Sequence, residues 1–268
     1  MREWTRGQPL EESVEIWRGE PGDVVAAGSA YWDKGHRYKV WYRAQTFYDT
    51  THFASDPDAP DTMVKVDIPS DFSFNTFADQ VVIHCKSEWA PSAGHEFKAG
   101  SVVSHPTDAF LRGERSEFTV LYSPADDRCA YAGSSETKDY MMVHTLEHMV
   151  TRVYVWRFDA ETKAFSFVKA HVAENCQSFS ASGVDSERSN ELFVTTDGFL
   201  DPVALSTATA PDLEISSPLK TNTAWFDTSG MSVELKEATS DDGTKVPYFL
   251  VRGAGIPEGA PAPTVLYG

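Results

Sequence analysis

Histidines, carboxylates and serines do most hydrolytic chemistry, and one stretch of this chain combines the first two. His144-Thr145-Leu146-Glu147-His148 matches H-x-x-E-H, a zinc-binding pattern of metallohydrolases. On a helix, histidines four apart share a face and can meet one Zn²⁺. The spacing of Leu146, Met149, Val150 and Val153 permits such a helix. The flanks point the other way, because Met141-Met142-Val143 and Val153-Tyr154-Val155-Trp156 read as strands. On one strand, positions four apart lie about 13 Å apart and cannot share an ion sitting about 2 Å from each nitrogen. Polar residues at a strand turn are the preferred reading. A zinc-dependent hydrolase using His144, Glu147 and His148 is the alternative.

Serine and thiol chemistry finds less support. A hydrolase serine sits on a tight strand-to-helix turn, usually within G-x-S-x-G, and no such motif occurs. Gly133-Ser134-Ser135 comes nearest, lacks the second glycine and reads as a turn. Cys85 lies in an apolar strand, which favours an inert buried thiol, and its neighbour His84 would point to the opposite face. Asp56-x-Asp58-x-x-Asp61 begins like a calcium loop but has Asp61 where the sharp-turn glycine belongs, so it reads as a solvated loop. The seven tryptophans, Trp17, Trp32, Trp41, Trp156 and Trp225 among them, read as core rather than as a ligand platform. No catalytic, cofactor-binding or metal-binding residue is assigned, and no cofactor is expected.

The elements that would carry these residues are almost all strands. Val, Thr, Tyr, Phe and Trp dominate runs such as Tyr38 to Phe47, Gln80 to Cys85, Arg152 to Phe158, Phe165 to Lys169, Glu191 to Thr196 and Val233 to Ala238. Turn clusters such as Gly19-Glu20-Pro21-Gly22-Asp23 and Ser123-Pro124-Ala125-Asp126-Asp127 separate them. Only Asp108 to Arg112 suggests a helical turn. The strand clusters repeat at roughly 45–50 residues, the length of a four-stranded propeller blade. Residues 1–235 then hold four to five blades, and further blades are expected upstream. Ser240-Asp241-Asp242-Gly243-Thr244 predicts a turn leading into the strand Lys245 to Val251. Pro263 to Gly268 read as a further apolar strand. Residues 236–268 are therefore expected to be the first strands of a second domain that continues beyond the chain.

The 268 residues are 41% hydrophobic and carry a net charge of −17. Such a surface repels nucleic acid and anionic membranes. No apolar run is long enough to span a bilayer. Cys85, Cys129 and Cys176 are too few and too far apart for a disulfide framework, which suits a reducing, cytoplasmic setting.

Several segments resemble the prolyl oligopeptidase family of serine peptidases. Thr239 to Val251, with its spacing to Pro263-Thr264-Val265-Leu266-Tyr267-Gly268, is similar to that family's junction between propeller and hydrolase. Thr195 to Pro202 looks like its Phe-x-x-Pro blade segment, and Phe110-Leu111-Arg112-Gly113 with Phe118 to Tyr122 resembles bacterial-type members. So does the opening Trp4-x-Arg6-Gly7-x-Pro9-Leu10. The resemblance implies an all-β chain: part of a seven-bladed β-propeller, followed by the first strands of an α/β-hydrolase domain. It further implies that the propeller gates access of short peptides to a Ser-Asp-His triad. In the family that triad, and a tyrosine that assists the oxyanion, lie downstream of the position of Gly268. The chain alone is then expected to be inactive, with peptide substrates and the missing catalytic domain as its partners. A free-standing propeller-derived binding or scaffold protein is the other possibility.

Overall fold

A computed structural model describes residues 1–173, 177–257 and 259–268. Among the described residues the chain is all-β apart from two short helical turns, and the strands include four successive four-stranded antiparallel sheets. The first joins Val25–Asp33, His36–Ala44, Thr50–Ser55 and Met63–Lys65. The second joins Ser73–Phe77, Gln80–His84, Val102–Pro106 and Thr119–Tyr122, with the small hairpin Trp89–Ser92/His95–Phe97 inserted midway. The third joins Cys129–Glu136, Tyr140–Glu147, Val150–Asp159 and Ala164–Val172. The fourth joins Ser178–Gly183, Glu191–Asp197, Ala204–Thr209 and Lys220–Thr221. In each sheet, strands neighbouring in sequence are neighbours in space, the meander of a propeller blade. Four such blades meet the expected four to five. The expected hairpin follows: Ser232–Thr239 pairs with Lys245–Arg252 across a turn in which Gly243 has φ +87°. Its first strand runs through residue 235.

The chain divides into two compact units: residues 1–125 with 158–166, and residues 126–157 with 167–268. The first unit is built on Val66, Phe72, Val81, Ile83, Cys85, Val103 and Phe110, all buried. Trp89, Phe97, Phe110 and Phe118 interlock beside them at ring-centroid distances of 5.1–6.4 Å. The predicted helical turn is the helix Thr107–Leu111, and it drives Phe110 into this core. Arg115 caps that ring from outside, its guanidinium 3.8 Å from the centroid.

In the second unit, inward and outward positions alternate along Ser178–Gly183 and Glu191–Asp197. Phe179, Ala181, Leu192 and Val194 face inward and meet Met142, Val153 and Val155 of the third sheet. Two backbones close tightly here. A Cβ on Gly183 would stand 2.2 Å from the carbonyl oxygen of Glu136.

Three sequence expectations fail. Gly133-Ser134-Ser135 lies within the strand Cys129–Glu136, just after a register shift that leaves Ala132 as the extra residue, rather than at a turn. Pro263 to Gly268 form no strand, because a strand needs a ladder partner and none of the described residues pairs with them. Val265, Leu266 and Tyr267 are 92%, 96% and 94% exposed. Trp32 and Trp225, expected in the core, are 67% and 96% exposed. Trp32 sits on the edge strand of the first sheet, and Trp225 lies in the connection between Lys220–Thr221 and Ser232–Thr239. Cys176 lies outside the described residues. Among the described residues, no helix is long and apolar enough to cross a membrane.

Candidate functional site

The residues of H-x-x-E-H are split by the strand on which they fold. His144 and Glu147 belong to Tyr140–Glu147, three positions apart and hence on opposite faces. His148 begins the two-residue turn to Val150–Asp159, and both His148 and Met149 have positive φ (50° and 66°). Each residue is held by different partners. His144 Nε2 lies 2.8 Å from Ser135 Oγ, and the ring also donates to the Ala181 carbonyl of the fourth sheet. Glu147 accepts from the Tyr154 hydroxyl at 2.7 Å and pairs with Arg152 at 3.1 Å. His148 Nε2 contacts Asp126 Oδ2 at 3.0 Å. The helical zinc site is absent because the helix is absent.

Ser135 and His144 have the hydrogen bond of a nucleophile and its base, but little else of a hydrolase. Ser135 lies on a regular strand rather than a sharp strand-to-helix turn. The second bond of the imidazole goes to a carbonyl, not to a carboxylate that could stabilise an imidazolium. Burial pushes the imidazole down to about 4, so it stays neutral at physiological pH. The pair lies within the third sheet, and the imidazole's bond to the Ala181 carbonyl ties that sheet to the fourth.

The other candidates resolve similarly. Cys85 is fully buried, and burial pushes its thiol up to about 12, which leaves it unreactive. In the acidic loop, Asp58 is committed to Arg112 at 2.7 Å, while Asp56 accepts from the Asp58 amide at 2.9 Å. A cavity of about 360 Å³ in the first unit is lined by His36, Arg37, Tyr38, Asp79, Arg112 and Lys163. Two of its cations answer to neighbouring anions: Lys163 lies 3.0 Å from Asp79, and Arg112 binds Asp58.

Sequence reading missed one grouping, Asp126, Cys129 and His148, whose ligand-capable atoms all lie within 4.8 Å of one another. Spacing in the chain does not reveal it. The register that sets Cys129 opposite Glu147 brings the turn residue His148 back over Asp126.

The hairpin Ser232–Thr239/Lys245–Arg252 is the remaining feature of note. It is bound to its unit by Phe249 against Phe199 at 4.9 Å and by Arg128 to Glu237 at 3.1 Å. Leu235, Val246, Tyr248 and Val251 stay exposed on it.

No protein-family model matches the chain. An uncharacterized peptidase of Sinorhizobium fredii is 32% identical over 267 residues, which cover 98% of this chain and 36% of that protein. An uncharacterized peptidase of Rickettsia prowazekii is 24% identical over 269 residues, again covering 98% and 36%. The chain therefore spans little more than a third of the length of the curated relatives it matches. Among solved structures, a post-proline cleaving enzyme from Rickettsia typhi is similar in fold over 96% of this chain and 37% of that one, with TM-score 0.77 and 22% identity. Oligopeptidase B from Trypanosoma brucei is similar over 98% of this chain and 36% of that one, with TM-score 0.65 and 16% identity. In sequence the chain matches uncharacterized peptidases, and in fold it is similar to parts of a post-proline cleaving enzyme and of oligopeptidase B.

Proposed function

We propose that this chain is the substrate-gating propeller portion of a prolyl oligopeptidase-like serine endopeptidase acting on short peptides. Residues 1–235 would supply blades and residues 236–268 the opening of an α/β-hydrolase domain. The observation that carries this reading is a match to peptidases along 98% of the chain, in a sequence that holds no G-x-S-x-G. Without nucleophile, base and oxyanion donors, the contributions that supply most of the rate are missing. The chain by itself is then a filter and not a catalyst.

The exposed apolar side chains of the hairpin and of Val265 to Tyr267 support the same reading. A lone two-stranded hairpin is marginal in water and gains stability from further strands or a packed helix. Peptides would reach the catalytic domain through the propeller, whose net charge disfavours nucleic acid and anionic membranes. The free thiols of Cys85 and Cys129 fit a reducing cytoplasm.

Two assays on the purified 268-residue chain test the reading. Fluorogenic peptides with proline or arginine before the scissile bond should show no turnover above buffer. A serine-reactive fluorophosphonate probe should leave the chain unlabelled. Labelling of any serine, with Ser135 the first to check, together with turnover that the Ser135→Ala variant loses, would overturn it.

A further inference from the structure

We propose that Asp126, Cys129 and His148 form a binding site for a thiophilic divalent cation of the Zn²⁺ class. Nothing in the gating function requires such a site, and it differs from the H-x-x-E-H pattern in sharing only His148 with it.

The geometry is close to what the ion needs. Asp126 Oδ2 and His148 Nε2 are 3.0 Å apart, and Cys129 Sγ is 3.4 Å from Asp126 Oδ1. In a tetrahedral zinc site with bonds of about 2.0–2.3 Å, ligand atoms stand roughly 3.3–3.8 Å from one another. The three ligand-capable atoms all lie within 4.8 Å of one another, so an inserted ion would need only local side-chain adjustment. The backbone beneath them is already fixed: Cys129 N donates to Asp126 O at 3.2 Å, and His148 N donates to Arg128 O at 3.0 Å. The ion would thus clasp the turn before the first strand of the third sheet to the turn after its second strand.

The donor set selects the metal. One thiolate, one imidazole and one carboxylate suit zinc, whereas Ca²⁺ and Mg²⁺ require oxygen ligands throughout. Cys129 is buried while Asp126 and His148 are partly exposed, so the ion would arrive from solvent and keep a water as its fourth ligand. Binding releases the Cys129 thiol proton to solvent, and the resulting thiolate and carboxylate together balance the charge of the cation. Arg128, next in the chain, is directed to Glu237 at 3.1 Å. The competing reading is an aspartate that caps its turn, through the Arg128 amide at 3.0 Å, and attracts a histidine. That reading predicts no metal uptake.

Titrating the 268-residue chain with CoCl₂ under reducing conditions separates the two. The site predicts one equivalent bound, with the near-ultraviolet charge-transfer absorption of a cobalt thiolate, displaced by one equivalent of ZnCl₂. Cys129→Ser should abolish that absorption. His148→Asn, which keeps the left-handed turn conformation, should weaken cobalt and zinc binding at least tenfold while far-ultraviolet circular dichroism is unchanged. The proposal is overturned if uptake is substoichiometric, if the absorption persists in Cys129→Ser through another cysteine, or if His148→Asn binds as tightly as the wild type. The exposed His148 variant keeps the test decisive should Cys129→Ser misfold.

Discussion

His144 shows how one buried side chain sets a pH limit on this fold. Its folded-state value, about 4, lies below the ordinary histidine value of about 6.5. As pH falls, the unfolded chain takes up the proton first, so stability present above about 6.5 is lost progressively toward about 4. Burial also lowers His52, His84 and His105, which adds to the trend in the same direction. Urea midpoints measured between pH of about 7.5 and about 5 should fall, and His144→Gln should show a shallower fall than the wild type. An identical slope in the variant would remove His144 from the account. The sequence read His144 to His148 as polar residues at a strand turn, with strands flanking them; His144 lies inside the strand Tyr140–Glu147, and only His148 reaches the turn. Sequence reading could not pair the His144 ring with Ser135, since that contact depends on a register shift at Tyr131/Gly133 that no local residue pattern announces.

At the scale of elements, the third and fourth sheets are joined by polar and steric fits as well as by apolar burial. Asn190 Oδ1 accepts from the fully buried Thr137 hydroxyl at 3.0 Å and from the Asp139 amide at 3.0 Å, while its Nδ2 donates to Asp139 at 2.8 Å. Asn190→Ala leaves these groups without partners and should cost about 1–3 kcal/mol of unfolding free energy. Gly183→Ala should cost a similar amount, about 1–3 kcal/mol, because its methyl meets the Glu136 carbonyl and the neighbouring backbone must move. Denaturant titration of both variants checks this, and a loss under about 0.5 kcal/mol in either would mean that the contact is slack.

Strands rich in β-branched and aromatic residues, such as Val150–Asp159 and Glu191–Asp197, were legible in the sequence to within a residue or two. Ser178–Gly183 was not: Ser-Phe-Ser-Ala-Ser-Gly has little intrinsic strand preference and is held extended by its neighbour Glu191–Asp197. The Asp-Gly turn of the hairpin was legible for a different reason. Gly243 supplies the left-handed conformation that the turn requires.

At the scale of the whole molecule, apolar surface is left open. Leu235, Val246, Tyr248 and Val251 on the hairpin, and Val265, Leu266 and Tyr267 beyond it, lie in water together with unpaired strand edges. Such surface recruits other chains. The isolated chain should self-associate, as size-exclusion chromatography with light scattering would show, and removal of residues 263–268 should reduce that association. A monodisperse, cooperatively unfolding monomer would contradict this view of the exposed surface. The central claim, that the chain is the gate of a larger peptidase, is tested most directly by sequencing the gene past the Gly268 codon. The account predicts a continuous frame encoding an α/β-hydrolase domain with a G-x-S-x-G nucleophile turn followed by the aspartate and histidine of a triad. A stop codon directly after Gly268 would contradict it and leave a free-standing propeller protein.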